Sequence, residues 1–598
     1  VFDLFRFNRF FKKYTSSLVA GVVFLTASNA FLVWIPILIR QTMDRVEGLA
    51  DTTAYQGWGT WRILTTTEAG DMLAWLSLWL VVAAVGYGVL LFLTRQTIIV
   101  SSRRIEYDLR NEVYAKMQQL PQSWVSRNST GDIYVRMSED IARVREYFGP
   151  AFMYGVNTIT RSGIIITIMF MVNAELTWWA LLPLPLLSIL AYWMSKYIHD
   201  RSNEIQEQYA VLAGRAQEAF SSIRLIKAYV REDYEQSRFE AVSESYRKKK
   251  LRLDFVESLF HPMLNLLIGS SIVFVVWKGG ELVISGVMTI GNIAEFIIYV
   301  TYLTWPIAAL GYTLNLVQRA AASQKRIQTM LDVEIPETNG HASDGPQNLA
   351  GGIEFRNVSF RYPGSEFDAL RDVSFKVNPG EHVAFVGRTG SGKTTLLNLI
   401  PRLWEPTSGQ ILIDGHPIST LPMAQLRGLI GVVPQDGFLF SDTIGENIRF
   451  GKDDADFRDV ETAAEKAQIR ENILEFEKKF ETILGERGVT LSGGQKQRTT
   501  IARAIIRNPT ILILDDALSA VDTKTEDAII RHLHSKTEKR TILNISHRIS
   551  SIKKADRIYV LHDGQIVESG THADLLKKEG SYASMYHKQL IEQELAQI

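Results

Sequence analysis

Residues 382–400 read HVAFVGRTGSGKTTLLNLI. HVAFVG is a short apolar run of strand length, and TLLNLI is helical in pattern. Between them stands Gly387-Arg388-Thr389-Gly390-Ser391-Gly392-Lys393-Thr394, the spacing G-x-x-x-x-G-K-T in a strand–loop–helix setting. Its glycines let backbone N–H groups close around phosphate oxygens, and the helix that starts here adds the positive end of its dipole. Lys393 is placed to reach the β- and γ-phosphates of ATP, and the Thr394 hydroxyl to ligate Mg2+. Thr395, next in line, is counted with the nucleotide-binding residues. An α/β nucleotide-binding domain follows from this stretch alone.

Downstream, the apolar run Thr510–Leu514 ends in Asp515 and Asp516. An acidic residue closing a buried strand beside such a loop can hold Mg2+, and Asp515 takes that role. Between the two lies Leu491-Ser492-Gly493-Gly494-Gln495, opening the helical run KQRTTIARAII. A glycine-rich helix start with serine is a second anion site. The first loop already holds one triphosphate, so this one is expected to face a nucleotide bound by a partner chain.

Upstream, PETNGHASDGPQNLAGG is rich in Pro, Gly, Asn and Ser and reads as a linker. The expected division is 1–335 for a first domain, 336–351 for the linker and 352–598 for the nucleotide-binding domain. A helix needs about 20 mostly apolar residues to cross a bilayer. Six runs qualify before the linker: Leu18–Ile39, Met72–Leu93, Phe152–Val172, Trp178–Met194, Pro262–Trp277 and Ile293–Leu316. The third and fourth are joined by the short polar break Asn173–Thr177, and the fifth is expected to start earlier, through Phe255 and Leu259. The fold class is therefore an all-α, six-helix polytopic membrane domain followed by an α/β domain.

Lys and Arg crowd the N-terminal lead and the connections after spans two and four, including Arg247, Lys248, Lys249 and Lys250; the connections on the other side are poor in them. By the positive-inside rule, both termini and the nucleotide-binding domain lie in the cytosol, with the chain multi-pass in the cytoplasmic membrane. The lead FDLFRFNRFFKKY, with five phenylalanines, reads as an amphipathic helix in the interface. The long cytosolic connections are helical in pattern, extending the spans, with short turns expected around Val135–Asp140 and Ala219–Arg224; plain solvated hairpins are the alternative. Asn157, Arg161 and Glu295 fall inside spans, where polar groups face the bundle interior or snorkel to an end.

The chain has 598 residues, with 65 Lys+Arg balancing 65 Asp+Glu, so no charge bias points to nucleic acid. There is no cysteine, which excludes disulfides, cysteine-ligated metal and a cysteine nucleophile. No short apolar run with a small-residue cleavage site opens the chain, so no removable signal peptide is expected, and Val1 in place of Met reads as a trimmed start.

LSGGQ together with the phosphate loop resembles the ATP-binding-cassette (ABC) transporters, specifically exporters with six spans fused to one cassette, of the multidrug and lipid-exporter type. The resemblance covers nearly the whole chain. It implies that Tyr362 in FRYPG stacks on adenine, that Gln435 in VVPQD approaches Mg2+ and the attacking water, and that Asp522 in SAVD stands at a dimer seam. It implies that His547 in ISHR contacts the γ-phosphate and that Glu486 in TILGERG couples to a partner's cytoplasmic helices. The turns near residues 135 and 220 become coupling helices. ATP and Mg2+ are the implied cofactors; a second half-transporter, the lipid bilayer and an amphipathic substrate are the implied partners.

One position departs from the pattern. The family's catalytic base is a glutamate after the strand-ending aspartate; here it is Asp516. The shorter side chain sets its carboxylate back by about 1 Å, a displacement that can cost on the order of 10²-fold in rate. Members so altered usually pair with a subunit whose glutamate is intact, while contributing an intact LSGGQ. A heterodimer is therefore expected; a slow homodimeric flippase or an ATP-gated channel or regulatory subunit are the alternatives. The spans exclude a soluble ATPase, and fusion of the two halves disfavours an importer.

Overall fold

The computed structural model describes residues 8–50, 68–335, 346, 348–485, 488, 490–533, 539–546 and 548–595. It divides into two compact units: 1–119 with 129–333, and 120–128 with 334–598.

The first unit is helical. Its principal elements are α1 (Thr15–Ala50), α2 (Glu68–Thr94), α3 (Val100–Gln119), α4 (Phe152–Val172), α5 (Ala174–Leu181), α6 (Pro183–Ser221), α7 (Glu232–Ile284) and α8 (Ile290–Leu331). Among the described residues, five helices are long and apolar enough to cross a membrane: Thr15–Glu47, Gly70–Gln119, Thr130–Val172, Asn265–Ile284 and Ile290–Leu331. The fourth predicted run, Trp178–Met194, falls across α5 and α6, divided at Leu182–Pro183, where the proline lacks the N–H that would continue the ladder. Several of its side chains lie outside the described residues.

The polar break before it is shorter than expected. Only Asn173 leaves helical geometry, and its side chain caps α5 by accepting from the Leu176 N–H at 2.9 Å. Helix α7 runs 53 residues through Pro262, so the fifth run does start earlier and reaches far beyond the apolar stretch. The unit's core gathers Phe296, Tyr299 and Leu303 of α8 with Ile165 and Met169 of α4 and Val33 of α1.

The turns expected in the long connections need one correction. Arg136–Asp140 is no turn but a π-helical stretch inside a continuing helix. Asp140 there is buried, accepting from the Ser323 hydroxyl at 2.8 Å and facing Arg326 at 3.3 Å. The bend comes earlier: Pro121, in extended geometry, precedes the short helix Gln122–Val125, and Ser129 caps the next one. Proline cannot continue α3, which sequence periodicity alone did not weigh. The second bend lies at the short helix Ile223–Ala228, overlapping its expected place.

The N-terminal lead is described from Asn8 onward. Phe11 packs on Phe148 with ring centroids 4.8 Å apart, and Arg9 and Lys13 meet Glu112 and Asp108, each at 2.6 Å. Its two described phenylalanines, Phe10 and Phe11, therefore pack on Phe148 of the protein; the other three of the lead lie outside the described residues.

The second unit holds two sheets. Strands β1 (Ile353–Phe360), β2 (Leu370–Val377), β4 (Ser408–Ile413) and β5 (His416–Pro417) form an antiparallel sheet in the order β2-β1-β4-β5. Strands β3 (His382–Gly387), β6 (Ile430–Val433), β7 (Ile511–Asp515), β8 (Thr541–Ile545), β9 (Arg557–His562) and β10 (Gln565–Gly570) form the other, ordered β10-β9-β3-β8-β7-β6. Every pairing from β9 through to β6 is parallel, which explains why β7 and β8 are buried along their length and apolar at most positions. Ile545 of β8 pairs with both Phe385 of β3 and Asp515 of β7. One strand thus separates the start of the phosphate loop from the acidic strand end, at the carboxyl edge where parallel sheets bind ligands.

Candidate functional site

The phosphate loop leaves β3 and enters helix α9 (Lys393–Leu399). Gly392 caps α9 at φ +98°, and a Cβ there would stand 2.5 Å from the Ala369 carbonyl, so both conformation and space demand glycine. Lys393 is buried, and its ammonium donates to the carbonyls of Gly387 at 2.8 Å and Arg388 at 2.9 Å. Burial pulls this ammonium below its ordinary range, opposed by the charges of Asp515 and Asp516. The Thr394 hydroxyl reaches the Asp515 carboxylate at 3.3 Å. Two hard oxygen donors side by side fit Mg2+, which binds through one or two protein oxygens plus phosphate and water. Gly390 and Ser391 complete the loop, and Thr389 and Arg388 line a cavity of about 670 Å³ beside it, together with Ser546, Tyr582 and Lys588.

Tyr362 follows β1, its hydroxyl 3.0 Å from the Thr395 hydroxyl. Trp404 packs edge-on against it at 5.2 Å, an aromatic neighbour that sequence reading passed over. Asp516 is buried and adopts φ +47°, a left-handed geometry that aspartate tolerates better than most residues. Its N–H donates to the Ile545 carbonyl at 2.8 Å. Gln435 is exposed just after β6. His547 and Glu486 lie outside the described residues.

Leu491 is buried, while Ser492 and Gly493 are exposed at the head of helix α10 (Gly493–Ile505). Ser492 caps it reciprocally: its hydroxyl accepts from the Gln495 N–H at 3.3 Å, and its own N–H donates to Gln495 Oε1 at 3.0 Å. A Cβ on Gly494 would stand 2.7 Å from the Ala520 carbonyl, so the helix head presses on the segment leading to Asp522. Asp522 accepts from the Thr525 N–H at 3.0 Å, and the Thr525 side chain together with that N–H holds its carboxyl below the usual range.

Three residues that the sequence did not single out bind these pieces together. Gln497 donates to the Ser519 hydroxyl at 3.0 Å and accepts from the Ala520 N–H at 2.9 Å, fixing the turn after Asp516. Glu526, buried on helix α11 (Thr523–Leu533), accepts from the Ser551 hydroxyl and faces Arg548 at 3.8 Å. Arg548 in turn donates to the Val521 carbonyl at 2.9 Å. Burial pushes the Glu526 carboxyl above its ordinary range, against the pull of Ser551 and Arg548. Arg503 donates to the carbonyls of Asn447 and Phe438, each at 2.7 Å, tying α10 to the segment after Gln435. Burial brings its guanidinium down to about 10. No local motif marks these three, because their partners are distant in sequence.

Two family models match: "ABC transporter transmembrane region" over residues 18–307 and "ABC transporter" over residues 370–519. A probable multidrug resistance ABC transporter ATP-binding/permease protein of Bacillus subtilis, YheI, is 35% identical over 97% of this chain and 96% of its own. The multidrug resistance-like ATP-binding protein MdlA of Escherichia coli is 34% identical over 88% of each. A bacterial Atm1-family ABC exporter solved with ATP bound superposes with a TM-score of 0.76 at 26% identity, covering 96% of this chain and 99% of the other.

Proposed function

The chain belongs to the ATP-binding-cassette transporters, an ATP-hydrolysing exporter with membrane and cassette halves fused, and on that premise we propose that it exports amphipathic drugs, lipids or peptides as one subunit of a heterodimer. The observation that carries the heterodimer is Asp516 combined with an intact LSGGQ. Its own site then binds ATP and hydrolyses it slowly, while its Ser492 completes the partner's faster site. The capped, exposed head of α10 supports this, since a helix start open to solvent can receive an anion from outside the chain. Relatives named for multidrug resistance support the substrate class.

In this mechanism Lys393 and the loop N–H groups grip the β- and γ-phosphates. Thr394, Asp515 and Gln435 would hold Mg2+, which when bound neutralises charge on those oxygens. Asp516 polarises the attacking water from a set-back position, His547 steadies the γ-phosphate, and Tyr362 stacks on adenine. Ser492 and Asp522 close the seam over the partner's nucleotide. Closure draws the cassettes together, and the turns at residues 120–128 and 222–231, with Glu486, pass the motion to the spans, turning them from inward- to outward-facing. The chain makes six crossings of the cytoplasmic membrane with both termini and the cassette in the cytosol, which the distribution of Lys and Arg supports.

Co-expression with the product of its genomic neighbour tests the proposal. A stable heterodimer that drives ATP-dependent uptake of an amphipathic dye into inverted vesicles is expected. A homodimer of this chain alone with full transport would overturn the heterodimer, and no uptake by either assembly would overturn export.

A further inference from the structure

Arg161 lies on α4 at about 14 Å from the Phe152 end and about 17 Å from the Val172 end, at 1.5 Å per residue. The helix continues N-terminal to Phe152, so these lengths place Arg161 near the middle of the apolar run Phe152–Val172, roughly two to three helical turns from either end of that run. Its guanidinium stacks on the Tyr302 ring of α8, 5.1 Å from the centroid. Its Nε is buried with no hydrogen-bond partner, and among the described residues Arg161 forms no ion pair. Two other cations of this unit that sit in or at the ends of apolar runs do meet a carboxylate: Arg40 meets Glu295 at 3.1 Å, and Lys278 meets Glu175 at 2.9 Å. Glu295 is further engaged by the Tyr299 hydroxyl at 3.0 Å.

The groups around Arg161 are polar but neutral. One turn away on the same face, Asn157 accepts from Asn29 of α1 at 3.0 Å, and Thr160 accepts from the same amide at 2.8 Å. Helices α1, α4 and α8 thus converge on a level that offers a cation, an aromatic face and amide and hydroxyl groups, with no carboxylate among the described residues to neutralise the charge. A charge at that depth is costly unless a counter-charge arrives.

We infer that Arg161, stacked on Tyr302, is an anion subsite of the transport pathway that receives the phosphate or carboxylate head of an amphipathic substrate. The inference rests on the export reading and narrows its substrate class. Arginine fits such a role because its planar fork meets two oxygens at once while its face stays on the ring. The acyl or ring portion of such a substrate lies along the apolar walls of the same helices.

The test uses the assembled transporter in zwitterionic nanodiscs, titrated calorimetrically with dodecyl phosphate and, separately, dodecyltrimethylammonium. Arg161→Ala is expected to weaken dodecyl phosphate binding about tenfold or more, the scale of one hydrogen bond to a charged group, and to leave the cation's binding no weaker. Arg161→Lys, which keeps the charge and guards against a misfolded alanine variant, is expected to lose less. Adding phosphatidylglycerol to the nanodiscs separates sources: competition with dodecyl phosphate identifies a lipid headgroup, and its absence a free amphiphile. Equal dodecyl phosphate affinity in wild type and both variants overturns the inference, as does no binding by the wild type, the result if a partner subunit's carboxylate occupies Arg161. ATP-driven uptake is read in parallel. Uptake of the cationic amphiphile without Arg161-dependent anion binding removes this inference and leaves export standing. Arg161-dependent binding without uptake of any amphiphile removes export instead.

Discussion

The Thr394 hydroxyl and the Asp515 carboxylate meet at 3.3 Å across 121 positions of chain. Both stand at the carboxyl edge of one parallel sheet, separated by β8. Asp515→Asn keeps the shape and removes the charge that would hold Mg2+. Turnover is expected to fall on the order of 10²-fold or more, since a bound metal is worth several kcal/mol of transition-state charge stabilisation. ATP affinity measured in EDTA should be unchanged; a turnover within a few-fold of wild type would contradict the role.

Asp516→Glu restores the missing methylene. Single-turnover hydrolysis at this chain's own site, with the other site silenced, is expected to rise by about 10²-fold. The left-handed backbone at Asp516 makes a small loss of cassette stability the accompanying cost. An unchanged rate would remove the slow-site argument, and with it the case for a heterodimer.

Gln497 satisfies both sides of the turn that carries Ser519 and Ala520. Gln497→Ala removes the acceptor of the Ala520 N–H and the donor to the Ser519 hydroxyl, at about 0.5–1.5 kcal/mol for each bond. Thermal melting of the cassette should drop accordingly, and turnover at the partner's site should drop with it as Asp522 loses its fixed place. Wild-type turnover despite a lowered melting temperature would show that the turn is structural only.

The raised Glu526 carboxyl makes the cassette sensitive to pH. A carboxyl whose folded pKa exceeds its unfolded value of 4.5 contributes stability that is full below that value and lost as pH rises through the folded pKa. Glu526→Gln removes the titration. Between pH 4.5 and neutrality the wild type should lose stability relative to this variant, read by denaturant melts at stepped pH. Parallel curves would refute the shift.

Arg40 and Glu295 pair at 3.1 Å, with Glu295 fully buried. Removing one partner of such a pair typically costs about 3–5 kcal/mol, while replacing both by apolar residues is close to neutral. Glu295→Leu should lower the melting temperature of the purified transporter, and adding Arg40→Met should recover most of it. Additive losses would mean that the two do not interact.

The phosphate loop, LSGGQ and the acidic strand end were legible because each is a local chemical pattern: backbone N–H groups, a lysine and short oxygens must lie within a few residues to hold phosphate. Apolar run length likewise marked most of the spans, since bilayer thickness sets helix length directly. Periodicity carried less. It put a turn at Val135–Asp140, where the chain stays helical and Asp140 is sealed under Ser323 and Arg326, far along the chain. It could not tell that Phe10 and Phe11 of the lead pack on Phe148, because an apolar face looks the same whatever covers it. Only the tertiary structure joined Arg40 to Glu295, set Glu526 behind Arg548, and left Arg161 with a ring and no acid among the described residues. Charges are paired through space, and a sequence states which charges exist without stating which of them meet.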